Sequence, residues 1–397
     1  MAAMTASGVA DVAVTNFTYN SGTGVFTGKV AANTLVDGKT YSLSVDATAI
    51  GGAASDSIAS GQKSTGLKDV KVDLSVATPD VVLAVDSANA GIGGTGTSSD
   101  GLTNVAGLTA IGNKETATSV VEYRVKSGVG AFGDWSTTYT APTANGTYTV
   151  EVRQTDDARN VSASKTISFT LDVSKPAIPN AVLSLDSSNA SLTGGTGTSS
   201  DGLTNSGAIT ASTNIEDGAA VEYRVKKDAG SFGNWSTTYT APNTDGSADG
   251  AYTVEVRQTD KAGNASDVQT ITYTLDTRGP DAPNVALTND SSNAGVGGAG
   301  TTSDLITKDG ALNAPDNVES GAALQYRVKK DAGTFSGWSS TYTAPDNNGT
   351  ADGVYTVEVK QTDKAGNAGT VQSYVYTLDS TKPAAPTISK VIDNEGT

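Results

Sequence analysis

The sequence predicts an all-β protein built from tandem antiparallel β-sandwich domains, and three observations lead to this prediction. Apolar and polar residues alternate in short runs such as VEYRVKK at residues 221–227 and YTVEVRQ at residues 252–258, as in half-buried strands. Clusters of Gly, Asn and Asp separate the runs and are typical of turns. The whole pattern then recurs along the chain.

The recurrence has the length of a whole domain. Trp135, Trp235 and Trp338 hold equivalent places in DWSTTYTAP, NWSTTYTAP and GWSSTYTAP at intervals of about a hundred residues, which is too long for a solenoid unit. We therefore expect a divergent or shortened domain at residues 1–77, full copies at residues 78–173, 174–277 and 278–380, and the start of a further copy at residues 381–397. We name the full copies repeat 1, repeat 2 and repeat 3, and residues 1–77 the first domain.

Within a repeat the strand pattern predicts an immunoglobulin-like sandwich. A third alternating run, VQTITYTLD, covers residues 268–276, and no stretch shows sustained helical periodicity. Short strands and turn signals at this density are typical of a two-sheet Ig-like β-sandwich, and we expect such domains to be arranged end to end. The outward Glu and Arg residues should pair across neighbouring strands. We expect Trp235 to pack across the sandwich beside Tyr223 and Tyr239, the alternative being an exposed platform for a sugar ring.

Composition excludes many kinds of function. The chain has no Cys and no His, so disulfides, thiol nucleophiles, Cys or His metal ligands and Ser-His-Asp triads are ruled out, and we predict no enzymatic activity. A net charge of −16 disfavours nucleic acid and anionic membranes as partners and favours cations. No apolar run has the length of a membrane span, and MAAMTASGVADVAV lacks the features of a signal peptide. We expect an internal fragment, or a chain exported through another signal.

Aspartates recur in the loops of every repeat. They are Asp86, Asp186 and Asp290 after the first strand; Asp100, Asp201 and Asp304 in SSDGLTN and TSDLIT; Asp156, Asp260 and Asp363 in the turn TDDARN or TDKAGN; and Asp172, Asp276 and Asp379 after the last strand. In repeat 1, Arg159 replaces the glycine of this turn, which leaves the geometry of that turn open.

Strand threading predicts that some of these carboxylates meet. Seven strands place the TDxAxN turn at the end where its domain begins and the closing aspartate at the opposite end, so Asp276 should approach Asp363, and Asp172 should approach Asp260. Gathered carboxylates repel one another unless a cation bridges them, and calcium accepts several such oxygens in irregular geometry. The alternative is that these residues only form Asx turns at hairpin ends.

The elements LDTRGPDAP, LDSTKPAAPTI, SSDGLTN, the Trp hairpin and RQTDKAGN resemble the bacterial Ig-like repeats in the stalks of giant Gram-negative adhesins, including biofilm-associated and type I-secreted RTX adhesins. The resemblance covers nearly the whole chain and is weakest in the first domain. It implies an extracellular extender at the bacterial cell surface that carries a distal binding domain for attachment or biofilm formation. It also implies calcium at the domain junctions, with the ligands among Asp100, Asp156, Asp172, Asp201, Asp260, Asp276, Asp304, Asp363 and Asp379.

The partners implied are neighbouring repeats of the same chain and calcium ions, with no membrane insertion, an unspecified external ligand and a monomeric state. The alternative function is a carbohydrate- or protein-binding Ig-like module, and a further alternative is an accessory region of a secreted polysaccharide-degrading enzyme.

Overall fold

The computed structural model describes residues 2–20, 25–45 and 70–389. Regular secondary structure in these ranges is β-strand, apart from short 3-10 turns at Ala90–Ile92 and Ala294–Val296. The all-β prediction is confirmed. The chain forms two compact units, the first unit comprising residues 1–89, 96–174 and 261–264, and the second unit residues 90–95, 175–260 and 265–397.

The first domain contributes one antiparallel sheet of five strands. They are β1 (Ala2–Thr5), β2 (Val12–Asn20), β3 (Val25–Val30), β4 (Thr40–Val45) and β5 (Val70–Lys71), in the order β3-β2-β1-β4-β5. Val12, Tyr41 and Val72 are its buried core. Residues 46–69 of this domain, and residues 390–397 of the further copy expected after repeat 3, lie outside the described residues.

Each repeat contains one sheet of four strands. In repeat 1 they are β6 (Leu102–Thr103), β7 (Val120–Ser127), β8 (Gly146–Thr155) and β9 (Lys165–Leu171). In repeat 2 they are β10 (Leu203–Thr204), β11 (Ala220–Lys227), β12 (Gly250–Thr259) and β13 (Gln269–Leu275). In repeat 3 they are β14 (Ile306–Thr307), β15 (Ala323–Lys330), β16 (Gly353–Thr362) and β17 (Gln372–Leu378). The three long strands pair antiparallel, and the short strand runs parallel to the last one, as in the order β10-β13-β12-β11.

The alternating sequence of the long strands places apolar residues inside and charged residues outside. Val254 and Val256 of β12 are fully buried, whereas Arg224 of β11 pairs with Glu255 of β12 on the outer face, at 2.5 Å. The expected cross-strand ion pairs are therefore present. They are partly exposed, so each contributes little to stability.

A second layer completes each repeat, but it is less regular than the four-stranded sheet. In repeat 2, Leu183 forms an antiparallel bridge with Ile209, and Asn180 forms one with Thr213. Leu183 and Ile209 pack against the core that contains Val254. The sandwich thus combines a continuous sheet with extended segments that are joined by single bridges.

The prediction that Trp235 packs in the core is wrong. The ring is half-buried and stacks with the guanidinium groups of Arg224, at 4.6 Å from the ring centre, and Arg257, at 4.2 Å. Both arginines point outward from the sheet because their neighbours Tyr223 and Val256 point inward. The tryptophan therefore covers the charged outer face of the sheet, where it makes cation–π contacts.

We expect Trp235→Ala to lower the free energy of unfolding of repeat 2 by ~1–2 kcal/mol, the value of two partly exposed cation–π contacts. Tyr273→Ala, at a buried aromatic of the same repeat, should cost ~3–5 kcal/mol. Native-state hydrogen exchange of the β12 amides measures both changes within the intact chain. Equal losses in the two variants would show that Trp235 belongs to the core.

Candidate functional site at the junctions between domains

A buried glutamine in each repeat ties the incoming linker to the loop before the first long strand. Gln361 is 1% exposed, and its Nε2 donates to the carbonyls of Asp281, at 2.7 Å, and Asn317, at 3.0 Å. Its Oε1 accepts the backbone N–H of Glu319 at 2.8 Å. Gln154 and Gln258 make the equivalent bonds. The amide therefore fixes the two segments that carry Asp281 and Glu319.

The TDxAxN turn faces the preceding domain. In repeat 3, Asp363 accepts the backbone N–H of Asn367 at 2.8 Å and its side-chain amide at 2.9 Å. The same Asn367 amide donates to the carbonyl of Asp276, the closing residue of repeat 2, at 2.8 Å. The structure thus brings Asp276 to the turn of Asp363, the approach that strand threading predicts.

The first unit contains the same arrangement twice. In repeat 1, Asn160 closes the turn of Asp156 and donates to the carbonyl of Asp73, just after β5 of the first domain, at 3.0 Å. The Asn264 amide donates to the carbonyl of Asp172 at 2.8 Å. The segment that follows the last strand of a domain is therefore bonded repeatedly to the turn of the following repeat.

Carboxylates gather at the junction between repeats 2 and 3. Burial, together with the charges of Asp363 and Asp249, raises the pKa of Asp276, although a hydrogen bond from the Arg278 N–H opposes this shift. Burial and the charges of Asp363 and Asp276 raise the pKa of Glu319. Burial is the larger cause of both shifts, and like charge among the carboxylates adds to it.

The same junction forms an acidic cleft. A cavity of about 420 Å³ is lined by Asp249, Asp276, Asp281 and Glu319, with Arg278 as the one cation among its lining residues. Its walls come from both repeats, because Asp249 and Asp276 belong to repeat 2 and Glu319 belongs to repeat 3. The four carboxylates outweigh this one cation, so the cleft is acidic.

The carboxylates at the junction between the first domain and repeat 1 lie closer together. Asp73, Glu115 and Asp156 each place one carboxylate oxygen within 4.8 Å of the others. Partial loss of hydration and the charges of Asp73 and Asp156 raise the pKa of Glu115. Among the described residues, this is the group of acidic side chains whose geometry could hold a metal ion.

Sequence reasoning missed three of the acidic residues at these junctions. Asp73, Glu115 and Glu319 were not among the predicted ligands, although Glu115, Glu216 and Glu319 recur in NKE, NIE and NVE at the domain interval. Alignment of the three repeats would have found the glutamates. Only the fold shows that they lie beside the closing aspartates.

The aspartates of the SSDGLTN and TSDLIT loops have another role. Asp201 accepts the backbone N–H groups of Thr198 and Leu203, both at 3.0 Å. These bonds lower the pKa of Asp201, and the same pattern holds for Asp100 and Asp304. Their carboxylates are occupied within their own loop, which is the Asx-turn geometry of the alternative interpretation.

The remaining predicted ligands differ from one another. Asp172 accepts the Asn145 amide and the Ser174 N–H, both at 3.0 Å. Asp260 is buried, at 2% exposure. Asp379 is exposed at the end of repeat 3, where its N–H donates to the carbonyl of Thr307 at 2.9 Å.

Two family models, both described as bacterial Ig-like domain, match the sequence. One matches residues 78–173 and 182–277, and the other matches residues 288–380. The chain contains tandem bacterial Ig-like domains. Comparison with curated proteins found no match, and no helix in the described ranges is long and apolar enough to cross a bilayer.

Two of the solved structures that align with this chain come from animals. The chicken CNTN1 FN1–FN3 domains are 15% identical, with 66% of this chain and 94% of that chain covered and a TM-score of 0.26. The Drosophila N-cadherin EC1–4 domains are 12% identical, with 95% and 91% covered and a TM-score of 0.21. Scores this low support no inference about function.

Titration should reveal the repulsion at the junction of repeats 2 and 3. The folded chain holds protons on Asp276 and Glu319 above their ordinary pKa values of 3.8 and 4.5. Without a cation, its free energy of unfolding should therefore fall as pH rises from those values through the raised ones, and should recover on acidification. Carbon-13 NMR of the carboxyl groups, recorded in chelator, measures the two pKa values directly.

The variant Asp276→Asn removes one charge and should lower the pKa of Glu319 toward its ordinary value. Asp304→Asn, in a loop of repeat 3, serves as the control and should leave the pKa of Glu319 unchanged. An unaltered pKa of Glu319 in the Asp276→Asn variant would contradict the electrostatic contact between the two side chains.

Proposed function

We propose that this chain is part of the structural extender of a large bacterial surface adhesin, outside the cell, and that its Ig-like domains act without catalysis to project a distal binding domain. The observation that carries the proposal is the repeated junction. The same four elements meet between the first domain and repeat 1, and again between repeats 2 and 3. They are the closing residue of one domain and the buried glutamine, the glutamate loop and the TDxAxN turn of the next.

The linker between repeats 2 and 3 is held at both ends, which suits a load-bearing connection. Thr277 donates to the Asp249 carboxylate through its N–H, at 3.0 Å, and its hydroxyl, at 2.7 Å. Asp281 is held by Gln361 at 2.7 Å. Only Arg278, Gly279 and Pro280 lie between these anchors. So short a connection leaves little freedom for one repeat to swing on the next.

We further propose that calcium stiffens these junctions. Oxygen ligands around one Ca²⁺ lie 2.3–2.6 Å from the ion, so no two are more than about 5 Å apart. The oxygens of Asp73, Glu115 and Asp156 satisfy this limit. Asp276, Glu319 and Asp363 at the junction of repeats 2 and 3 are not such a group, so calcium would have to draw their carboxylates closer together. Calcium there would offset the cost of burial and of like charge that raises the pKa values of Asp276 and Glu319.

The alternative of a carbohydrate-binding module has weaker support. A sugar platform needs an exposed aromatic face, but Trp235 is half-buried and stacks with Arg224 and Arg257. A glycan array with the intact chain separates the two functions. Specific binding of one glycan class would favour the module, and the extender expects none.

Calcium should stabilise the chain in proportion to the logarithm of its concentration, by about 2.7 kcal/mol at a hundredfold excess over the dissociation constant. Isothermal titration and thermal melting of the whole chain, in calcium against chelator, measure this effect. Asp276→Asn should weaken the titration and the thermal shift that belong to the junction of repeats 2 and 3.

Asp304→Asn is the matched control, because Asp304 accepts hydrogen bonds from residues of its own loop. The calcium titration of this variant should match that of the unmodified chain. Identical melting with calcium and with chelator would refute the calcium proposal, and the extender proposal would then rest on the domain architecture alone.

A further inference from the structure

A loop of repeat 2 contacts repeat 3 through hydrogen bonds that involve no carboxylate. Asn189 is 1% exposed, and its amide donates to the carbonyls of Gly321 and Thr362 in repeat 3, both at 3.0 Å. Its side-chain oxygen accepts the N–H of Gly197 in its own loop at 2.8 Å. Both N–H groups and the oxygen of this buried amide are thus used, and two of its three bonds cross the junction.

The neighbours of Asn189 extend the contact. Ser187 is 9% exposed, and its hydroxyl donates to the carbonyl of Ala365 in the TDKAGN turn at 2.6 Å. The N–H of Thr196 donates to the carbonyl of Gly321 at 3.3 Å. Every acceptor in repeat 3 is a backbone carbonyl, so recognition depends on the path of the turn and not on its charged side chains.

The turn must also come close to the loop. Gly366 has a φ of +88°, and a Cβ at this position would lie 3.1 Å from the carbonyl oxygen of Ser188. From the other side, a Cβ at Gly197 would meet the carbonyl oxygen of Lys364 at 2.1 Å. A Cβ at Gly197 would overlap the backbone of the turn, whereas a Cβ at Gly366 would make a tight contact that a longer side chain would worsen.

The first unit shows the same fit between repeat 1 and the turn of repeat 2. The Ser87 hydroxyl donates to the carbonyl of Ala262 at 2.5 Å. Gly263 has a φ of +89°, and a Cβ there would lie 3.5 Å from the Ser87 side chain, an ordinary van der Waals contact that is looser than the one at Gly366. The loops share the sequence Asp-Ser-x-Asn-Ala, at residues 86–90 and 186–190.

Repeat 1 supplies a natural exception. Its turn carries Arg159, at a φ of +72°, where the other turns have glycine. The domain that precedes it, residues 1–77, contains no Asp-Ser-x-Asn-Ala sequence. A side chain is thus found at this turn position in the one repeat whose preceding domain lacks the loop.

We propose that the Asp-Ser-x-Asn-Ala loop and the glycine of the next TDKAGN turn form a metal-independent lock that determines which repeats can be neighbours. A repeat with the loop accepts a following repeat whose turn has glycine, and rejects one with a larger residue there. The lock uses none of the clustered carboxylates, so it goes beyond calcium stiffening. Repeat 3 presents its own loop at residues 290–294, with Asn293 exposed, for a further repeat of the glycine type.

The test is a distance measurement in chelator. The chain has no cysteine, so Ser231→Cys in repeat 2 and Thr334→Cys in repeat 3, both at exposed positions, accept a pair of spin labels. Pulsed electron paramagnetic resonance should give one narrow distance distribution for this chain. Gly366→Arg, which copies the arginine of repeat 1, should broaden it.

Gly297→Arg is the matched control. Gly297 lies in the same repeat with a φ of +87°, but a Cβ there would meet no atom within 4 Å. The two variants share the backbone strain, so a broader distribution in Gly366→Arg alone reports the lost contact. Asn189→Ala, which removes the two amide donors of Asn189, should also broaden the distribution. This variant provides the test if hydrogen exchange shows that Gly366→Arg leaves repeat 3 unfolded.

A narrow distribution in Asn189→Ala and in a folded Gly366→Arg would overturn the proposal. A broad distribution for the parent chain in chelator would overturn it too, because the contact would then require a cation. The experiment contains no calcium, so it gives the same answer whether or not the junction carboxylates bind that ion.

Discussion

The junctions depend on a buried side-chain amide, which Gln154, Gln258 and Gln361 supply in the three repeats. An unsatisfied buried amide costs about 1–3 kcal/mol, so the linker carbonyl and the glutamate loop must stay where the amide can bond to them. Once the linker is fixed, the closing residue of the preceding domain must lie beside the TDxAxN turn. The approach of Asp276 to Glu319 and Asp363 then follows from a hydrogen-bonding requirement, and the carboxylates are held together despite their repulsion.

When no cation is bound, two opposing interactions therefore act at the junction of repeats 2 and 3. The hydrogen bonds of Asn189, Ser187 and Asn367 hold the repeats together. The carboxylates of Asp276 and Glu319 oppose them, because burial and neighbouring negative charge both disfavour their ionised forms. In the proposed extender, calcium would change the second contribution from repulsion to attraction. The junction would become stiffer while its hydrogen bonds stayed the same.

The outer face of each sheet illustrates why the tryptophan was misplaced. A large aromatic residue that recurs in every domain suggests a core position, because burial of its surface is favourable. Here Trp235 follows a strand whose outward residues include Arg224, and a guanidinium group can cover an aromatic face while it keeps its ion pair with Glu255. The core is filled instead by smaller residues such as Val254 and by the stacked pair Tyr252 and Tyr273.

The all-β class, the recurrence and the long strands could be predicted from the sequence, because alternation in runs such as residues 221–227 and 252–258 is a local property of the chain. The approach of the TDxAxN turn to the closing aspartate could also be predicted, since strand direction follows from strand number. The fold was needed to show which other acidic residues join them. Glu319 reaches Asp276 through a buried amide on another strand, whereas Asp201 is satisfied within its own loop. Both carboxylates recur at the same interval, and only their three-dimensional neighbours distinguish them.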